Sequence, residues 1–163
     1  MTGELHIRPA REDEADQVAE LLVEAYAEYA ARMSPDAWAS FAQIIGNVRG
    51  RMTEAEILVA ERDGRLVGSV TVFSQGRGAR EDTVGVRMLG VRPSERGTGV
   101  GRTLMEYVVD RARSAGLERV VLTTSQEMET ARDLYERMGF EREPSLDHEP
   151  APGVRFEGYA LKL

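Results

Sequence analysis

The chain has no cysteine. That excludes disulfides, thiolate metal sites and a cysteine nucleophile, and it fits a reducing, cytoplasmic setting. Histidine is nearly absent as well. His6 and His148 are the only two, so a histidine-rich metal site is excluded and no metal is expected. No apolar run approaches the ~20 residues that a bilayer-spanning helix needs. The first residues are polar and acidic, so no signal peptide is expected. A formal net charge of −7 argues against nucleic acid as a partner. It leaves room for a cationic acceptor such as an amine.

What is present suffices for a folded core. At 163 residues one domain spanning 1–163 is the natural expectation, and a chain of that size buries enough surface to fold unaided. No repeat, linker or low-complexity tract divides it. Residues 5–8 read as a short strand ended by Pro9. Ala15, Val18, Leu22, Ala25, Tyr26 and Tyr29 recur at spacings of three and four, which predicts a helix over 12–31. Ser34-Pro35 opens a second helix to about residue 48. Strands over 57–61 and 66–73 flank the hairpin turn Asp63-Gly64. Residues 74–82 read as a loop, and 83–91 as a strand. A helix from about residue 99 is stopped by Gly116. A β-branched strand over 117–124, a helix over 127–138 with Gly139 at its end and a strand beginning at 140–142 follow. Residues 144–153 hold three prolines and form an excursion before the last strand, 154–163. This β-α-α-β-β-β-α-β-α-β-β order predicts a mixed α/β domain.

The chemistry concentrates between residues 89 and 102. Leu89-Gly90-Val91-Arg92-Pro93 ends a strand, and Arg96-Gly97-Thr98-Gly99-Val100-Gly101-Arg102 leads into a helix. A helix start leaves about four backbone N–H groups without partners, at the positive end of the dipole. Glycines let the backbone approach an anion and adopt the positive φ that turns N–H groups inward. Arg87, Arg92, Arg96 and Arg102 add a local basic spot to an acidic chain. Such a turn suits a pyrophosphate, although a tight strand-to-helix connection would use the same glycines. A Walker A loop is excluded, because no lysine lies here. A dinucleotide fingerprint is disfavoured by the G-x-G-x-G spacing and by the next strand ending in Thr123-Thr124-Ser125 rather than an acidic residue.

Two motifs together are more specific than either alone. Arg96-x-x-Gly99-x-Gly101 resembles the [QR]-x-x-G-x-[GA] signature of the GNAT acetyltransferases. The run from Ala131 through Leu134, Tyr135 and Gly139 to Phe140 resembles that family's second motif, A-x-x-L-Y-x-x-x-G-F. The element order matches from about residue 4 to 163. The resemblance implies a central mixed, mostly antiparallel sheet flanked by helices, with the strands 83–91 and 117–124 splayed to form a CoA cleft. It implies an acyltransferase that moves acetyl from acetyl-CoA to a primary amine on a small molecule, peptide or protein. Backbone groups of Leu89 and Val91 would pair with the pantetheine arm. N–H groups from Gly97 to Arg102 would hold the pyrophosphate, and an N–H near Leu89 would polarise the thioester carbonyl. Tyr135 would protonate the departing thiolate, since a phenol is protonated at neutral pH.

The sequence departs from the family pattern twice. Many relatives carry a glutamate base six residues before the strand's last hydrophobic residue, and that position here is Gly85. Glu81 and Asp82 are the nearest carboxylates by sequence, and His148 in the excursion is another candidate base. Relatives often place an asparagine three residues before Ala131, and Met128 stands there. These departures keep open a noncatalytic acyl-CoA-binding or regulatory module. Trp38, Phe41 and Tyr26 are core residues or one wall of the acceptor site. His6 reads as structural. A homodimer is the commonest oligomer to expect.

Overall fold

The structure is a computed structural model that describes residues 3–74, 81–125 and 128–163. Its strands are β1 (His6–Pro9), β2 (Glu56–Arg62), β3 (Arg65–Phe73), β4 (Thr83–Val91), β5 (Arg119–Thr124), β6 (Glu141–Arg142), β7 (His148–Ala151) and β8 (Val154–Lys162). Its helices are α1 (Ala15–Tyr26), α2 (Pro35–Gly46), α3 (Val48–Met52), α4 (Val100–Ser114) and α5 (Glu129–Arg137). One continuous sheet runs in the order β1-β2-β3-β4-β5-β8-β6, with β7 also pairing β8. Among the described residues only β4 and β5 are parallel; the other pairings are antiparallel.

The alternation of the central strands builds a core on each face. Ile57 and Val59 of β2 join α1 and α2 on one side. Leu58 and Ala60 of β2, with Val70 and Val72 of β3, join α4 on the other. The β2–β3 register is set by Asp63 and Gly64, whose φ values of 53° and 76° suit a two-residue hairpin. Strand β1 lies at the sheet edge, where Pro9 can be its last residue because no ladder N–H is required of it.

The long first helix expected over 12–31 is three pieces: single 3-10 segments at Glu12–Glu14 and Ala27–Arg32 bracket α1. The change after Tyr26 coincides with Arg96 Nη2 donating to the Ala25 carbonyl at 2.8 Å, an acceptor that a continuing α-helix would use. The second helix stops at Gly46 rather than 48. Asn47 caps α3 instead, accepting from the Gly50 N–H at 3.2 Å. Ser34 caps α2 as expected, accepting from the Ala37 N–H at 3.1 Å. The excursion is ordered by Asp147. One carboxylate oxygen accepts from the Gly158 N–H at 2.7 Å and Arg142 at 2.9 Å, and the other accepts from Arg142 at 3.0 Å. Most of the expected loop, residues 75–80, and the expected start of the helix at Glu127 lie outside the described residues.

Candidate active site

The sheet opens in its middle. β4 and β5 pair from Thr83↔Arg119 to Val86↔Leu122 and no further. Beyond that point β4 carries a bulge. Ser69↔Gly90 and Thr71↔Arg87 leave one extra residue on β4, and Met88 takes φ 56°. The extra residue shifts the alternation: Val84 and Val86 face α4, and so do Leu89 and Val91, whereas Met88 joins the opposite core. The Arg92 N–H bonds the Val67 carbonyl at 2.9 Å. By alternation, Gly90 and Arg92 turn their backbone groups toward β3, and Leu89 and Val91 turn theirs into the opening.

A cleft of about 250 Å³ fills that opening. Among the residues singled out from sequence, Leu89, Gly90, Val91, Arg96, Gly97, Gly99, Val100, Gly101, Arg102 and Tyr135 line it. Thr98 does not. Its hydroxyl donates to the Glu95 carbonyl at 2.6 Å and accepts from Arg62 at 3.0 Å, which ties the turn to β2. Gly97 and Gly99 take φ of 77° and 87°, and Gly99 caps α4 in the left-handed region. A Cβ at either would meet nothing, so the backbone conformation, not space, calls for glycine. Among the described residues no acceptor takes the N–H groups from Gly97 to Arg102, and the first α4 bond is Thr103 N–H to Gly99 O. The turn thus presents a row of open donors at a helix start.

The arginines are less free than the sequence suggests. Arg96 pairs with Glu28 at 2.7 Å, Arg102 with Glu106 at 2.7 Å and Arg92 with Glu24 at 2.7 Å. Arg92 also donates to the Leu66 carbonyl at 2.7 Å, a scaffold contact. Anion binding here rests on the backbone more than on side-chain charge.

Three phenols surround the strand opening. Tyr26 donates to the Leu89 carbonyl at 2.6 Å. That carbonyl therefore already holds a donor, while the Leu89 N–H and the Val91 backbone remain for an added strand. Tyr135 is 4 % exposed and its ring packs 5.8 Å from Phe140. Burial, and secondly the nearby Tyr29, raise its pKa well above the ordinary phenol value. Burial also raises Tyr26 well above that value and Tyr29 to about 12. All three are hydroxyl donors across the physiological range. Tyr29, Ala131, Leu134 and Thr123 also line the cleft; the sequence placed Tyr29 on a helix face, Ala131 and Leu134 in the second motif and Thr123 at a strand end, and assigned none of them a role in the site.

A second cavity of about 320 Å³ lies on the α2 side, lined by Ile44, Phe73, Val86, Arg87, Val121, Leu122, Thr123, Leu146 and His148. Val86, Arg87 and Thr123 line both cavities, so the two meet where the strands part. His148 sits half-buried on β7, with Nδ1 3.3 Å from the Leu146 carbonyl and its ring 5.9 Å from Phe156. Phe41 is core, fully buried and edge-on to Tyr26 and Phe156 at 5.9 and 5.5 Å. His6 is exposed on the edge strand.

Both departures have structural occupants. A Cβ on Gly85 would lie 2.3–2.8 Å from ring atoms of Phe73, its partner on β3. The place of a glutamate side chain is filled by an aromatic ring. Met128, 3 % exposed, caps α5, and its Sδ accepts from Thr124 Oγ1 at 3.7 Å. Asp82 and Glu81 stand at the far end of β4 and line neither cavity. Asp82 accepts from the Thr83 hydroxyl at 2.9 Å, and its carbonyl from Glu118 and Arg119.

Residues 15–140 match the Acetyltransferase (GNAT) family. The chain belongs to that family. It is 41% identical over 90 residues to a mycothiol acetyltransferase of Thermobispora bispora, covering 54% of this chain and 30% of that protein. It is 34% identical over 100 residues to an IAA acetyltransferase of Azospirillum brasilense, covering 61% of this chain and 63% of that one. The chain thus spans less than two thirds of the length of these relatives. Among solved structures, a GNAT family acetyltransferase from Brucella melitensis in complex with acetyl-CoA superimposes with a TM-score of 0.66 at 24% identity, over 98% of this chain and 88% of that one. The expected fold, a mixed, mostly antiparallel sheet with helices on both faces, is the GNAT fold. No helix among the described residues is long and apolar enough to cross a membrane, and no metal-binding cluster is found among them.

Proposed function

We propose that the chain is an N-acetyltransferase that moves acetyl from acetyl-CoA to a primary amine by direct transfer in a ternary complex. The observation that carries this is the parting of β4 from β5, with the open backbone of Leu89 and Val91 on one side and a second cavity meeting it at Arg87 and Thr123. Open N–H groups from Gly97 to Arg102 hold the pyrophosphate, Val91 pairs with the pantetheine arm, and the Leu89 N–H polarises the thioester carbonyl. The bulge at Met88 aims that N–H, and Tyr26 holds the next peptide in place through the Leu89 carbonyl.

The amine must lose a proton to attack. At a pKa of ~10.4 only about one amine in 2,500 is neutral at pH 7, a deficit of about 4.6 kcal/mol. With Gly85 where a glutamate stands in many relatives, His148 is the group in the acceptor cavity suited to take that proton, directly or through water. Its Nδ1 lies 3.3 Å from the Leu146 carbonyl, a contact that orients the ring. As the new N–C bond forms and the C–S bond breaks, Tyr135 gives its proton or a hydrogen bond to the thiolate. Its raised pKa supports a donor and not a base.

A noncatalytic acyl-CoA-binding module is the second reading, favoured by the ring of Phe73 over Gly85 and by the apolar Met128. Steady release of CoA thiol with a panel of amines separates the two. Transfer predicts amine-dependent release above hydrolysis. Acetyl-CoA binding with no amine raising that release would remove the enzyme reading. We also propose a cytoplasmic location, in keeping with the absence of cysteine, and a homodimer, which sedimentation of the purified chain tests.

A further inference from the structure

The acceptor cavity carries positive charge, and among the described residues no carboxylate lines it. The Arg87 guanidinium lies over the Phe73 ring, with Cζ 4.6 Å from its centroid. A guanidinium held over a ring face keeps N–H donors for a planar partner. The three arginines that follow it in the chain are each paired to a glutamate, but among the described residues no carboxylate pairs with Arg87, which is exposed and lies over that ring. Behind the cavity, Arg51 is 9 % exposed and also lacks a carboxylate among the described residues. It donates to the Ile44 and Ile45 carbonyls at 2.5 and 2.6 Å, and its Nε has no partner. Burial, and next the nearby Arg87, lower its pKa to about 10. A buried cation without an anion is a costly arrangement. Across the ladder from Arg87, Thr71 holds a buried hydroxyl with no partner. No Asp or Glu among the described residues lines this cavity, whose remaining wall includes Ile44, Val121 and Leu146.

We propose that the acceptor is an amine that also carries a carboxylate, an amino-acid-like zwitterion with an apolar side chain, whose carboxylate is held by the Arg87 guanidinium. This rests on the acetyl-transfer reading of the same site. Arg87 lines both cavities, so an anion bound there lies beside the transfer point, and a short spacing between amine and carboxylate fits. The apolar side chain takes the wall of Ile44 and Leu146. A polyamine would bring like charge against two guanidiniums. The net charge of the chain suggests a cationic acceptor, but the charge that faces the acceptor is positive.

The test compares matched amines in the thiol-release assay: phenylalanine against phenethylamine, methionine against 3-(methylthio)propylamine, and spermidine. The carboxylate-bearing member of each pair is expected to show kcat/KM at least about 10-fold higher, the scale of a charge-assisted pair. Arg87→Gln is expected to collapse that ratio toward one by raising KM for the carboxylate member. Arg87→Lys, with charge but no planar fork, restores part of it. Equal or better turnover of phenethylamine or spermidine by the native chain overturns the proposal, as does a ratio unchanged in Arg87→Gln. Calorimetric titration with acetyl-CoA runs alongside. If acetyl-CoA binds and amines are acetylated without the preference, only the acceptor proposal fails. If acetyl-CoA does not bind, or no amine is acetylated, the transfer reading fails and takes this one with it.

Discussion

The two cavities that meet at the strand opening are built from different materials. The donor side is mostly backbone: a bulge at Met88, two left-handed glycines and the open N–H groups of a helix start. The acceptor side is made of side chains delivered by α2, β3, β4, β5 and the excursion before β8. A backbone site recognises a feature common to every CoA, so it can be written as a short local motif. A side-chain site selects one acceptor among many, and its residues are dispersed along the chain. The contrast explains why one side reads as a family and the other reads as this chain's own.

The most disruptive way to break that contrast is to put the missing carboxylate back. Gly85→Glu drives a Cβ into the Phe73 ring and is expected to cost about 2–3 kcal/mol of stability, the scale of an overpacked core. Denaturant unfolding reads this, and adding Phe73→Ala should recover most of it. Gly85→Glu with native stability would mean that the ring leaves easily and that the acceptor floor is not fixed. The next largest effect falls on the junction. Tyr135→Phe keeps the packing against Phe140 and removes the hydroxyl, so turnover should fall more than about tenfold, ~1.4 kcal/mol of barrier, while acetyl-CoA affinity changes little. An unchanged rate would take Tyr135 out of the mechanism.

Smaller effects should separate the two sides. Gly99→Ala forces a side chain to φ 87° at a cost of about 1 kcal/mol. It should weaken acetyl-CoA binding severalfold with little change in the acceptor's KM, both measurable by titration and steady-state kinetics. Asp147→Asn acts on the opposite wall. The paired Arg142, opposed by burial and assisted by the Gly158 N–H, holds the Asp147 carboxyl at about 2, below its ordinary 3.8. Because the folded value is the lower one, its stabilisation is present in full above about pH 4 and is lost as pH falls toward 2. The variant should show a flatter stability profile over that window and a modestly higher acceptor KM, with acetyl-CoA affinity unchanged. A loss of acetyl-CoA affinity instead would mean that the two sides are not separable.

How far the sequence carried follows the same division. The β4 strand was legible to the residue, Thr83–Val91, because its apolar alternation and the glycine turn after it are local. The ends of α1 were not, because an arginine 71 residues away takes the Ala25 carbonyl. Leu89, Gly97, Gly99 and Tyr135 were expected to share a site, from two motifs and the strand that leads into the first, and one cleft brings them together. The bulge at Met88 was not, since a single slipped residue leaves the composition of the strand unchanged. Gly85 and Met128 were read as absences. Only the fold shows that the Phe73 ring fills the space over Gly85 and that the Met128 sulfur accepts from Thr124. Arg87 stood out only as one of four clustered arginines, and pairing with glutamates sets the other three apart.

The two cavities meet at Arg87 and Thr123, and the proposed transfer passes acetyl from one to the other with no stop on the protein. Initial velocities measured against acetyl-CoA at several fixed concentrations of an accepted amine test this directly. Direct transfer in a ternary complex predicts double-reciprocal lines that intersect. Parallel lines, the pattern of an acetylated protein intermediate, would contradict it.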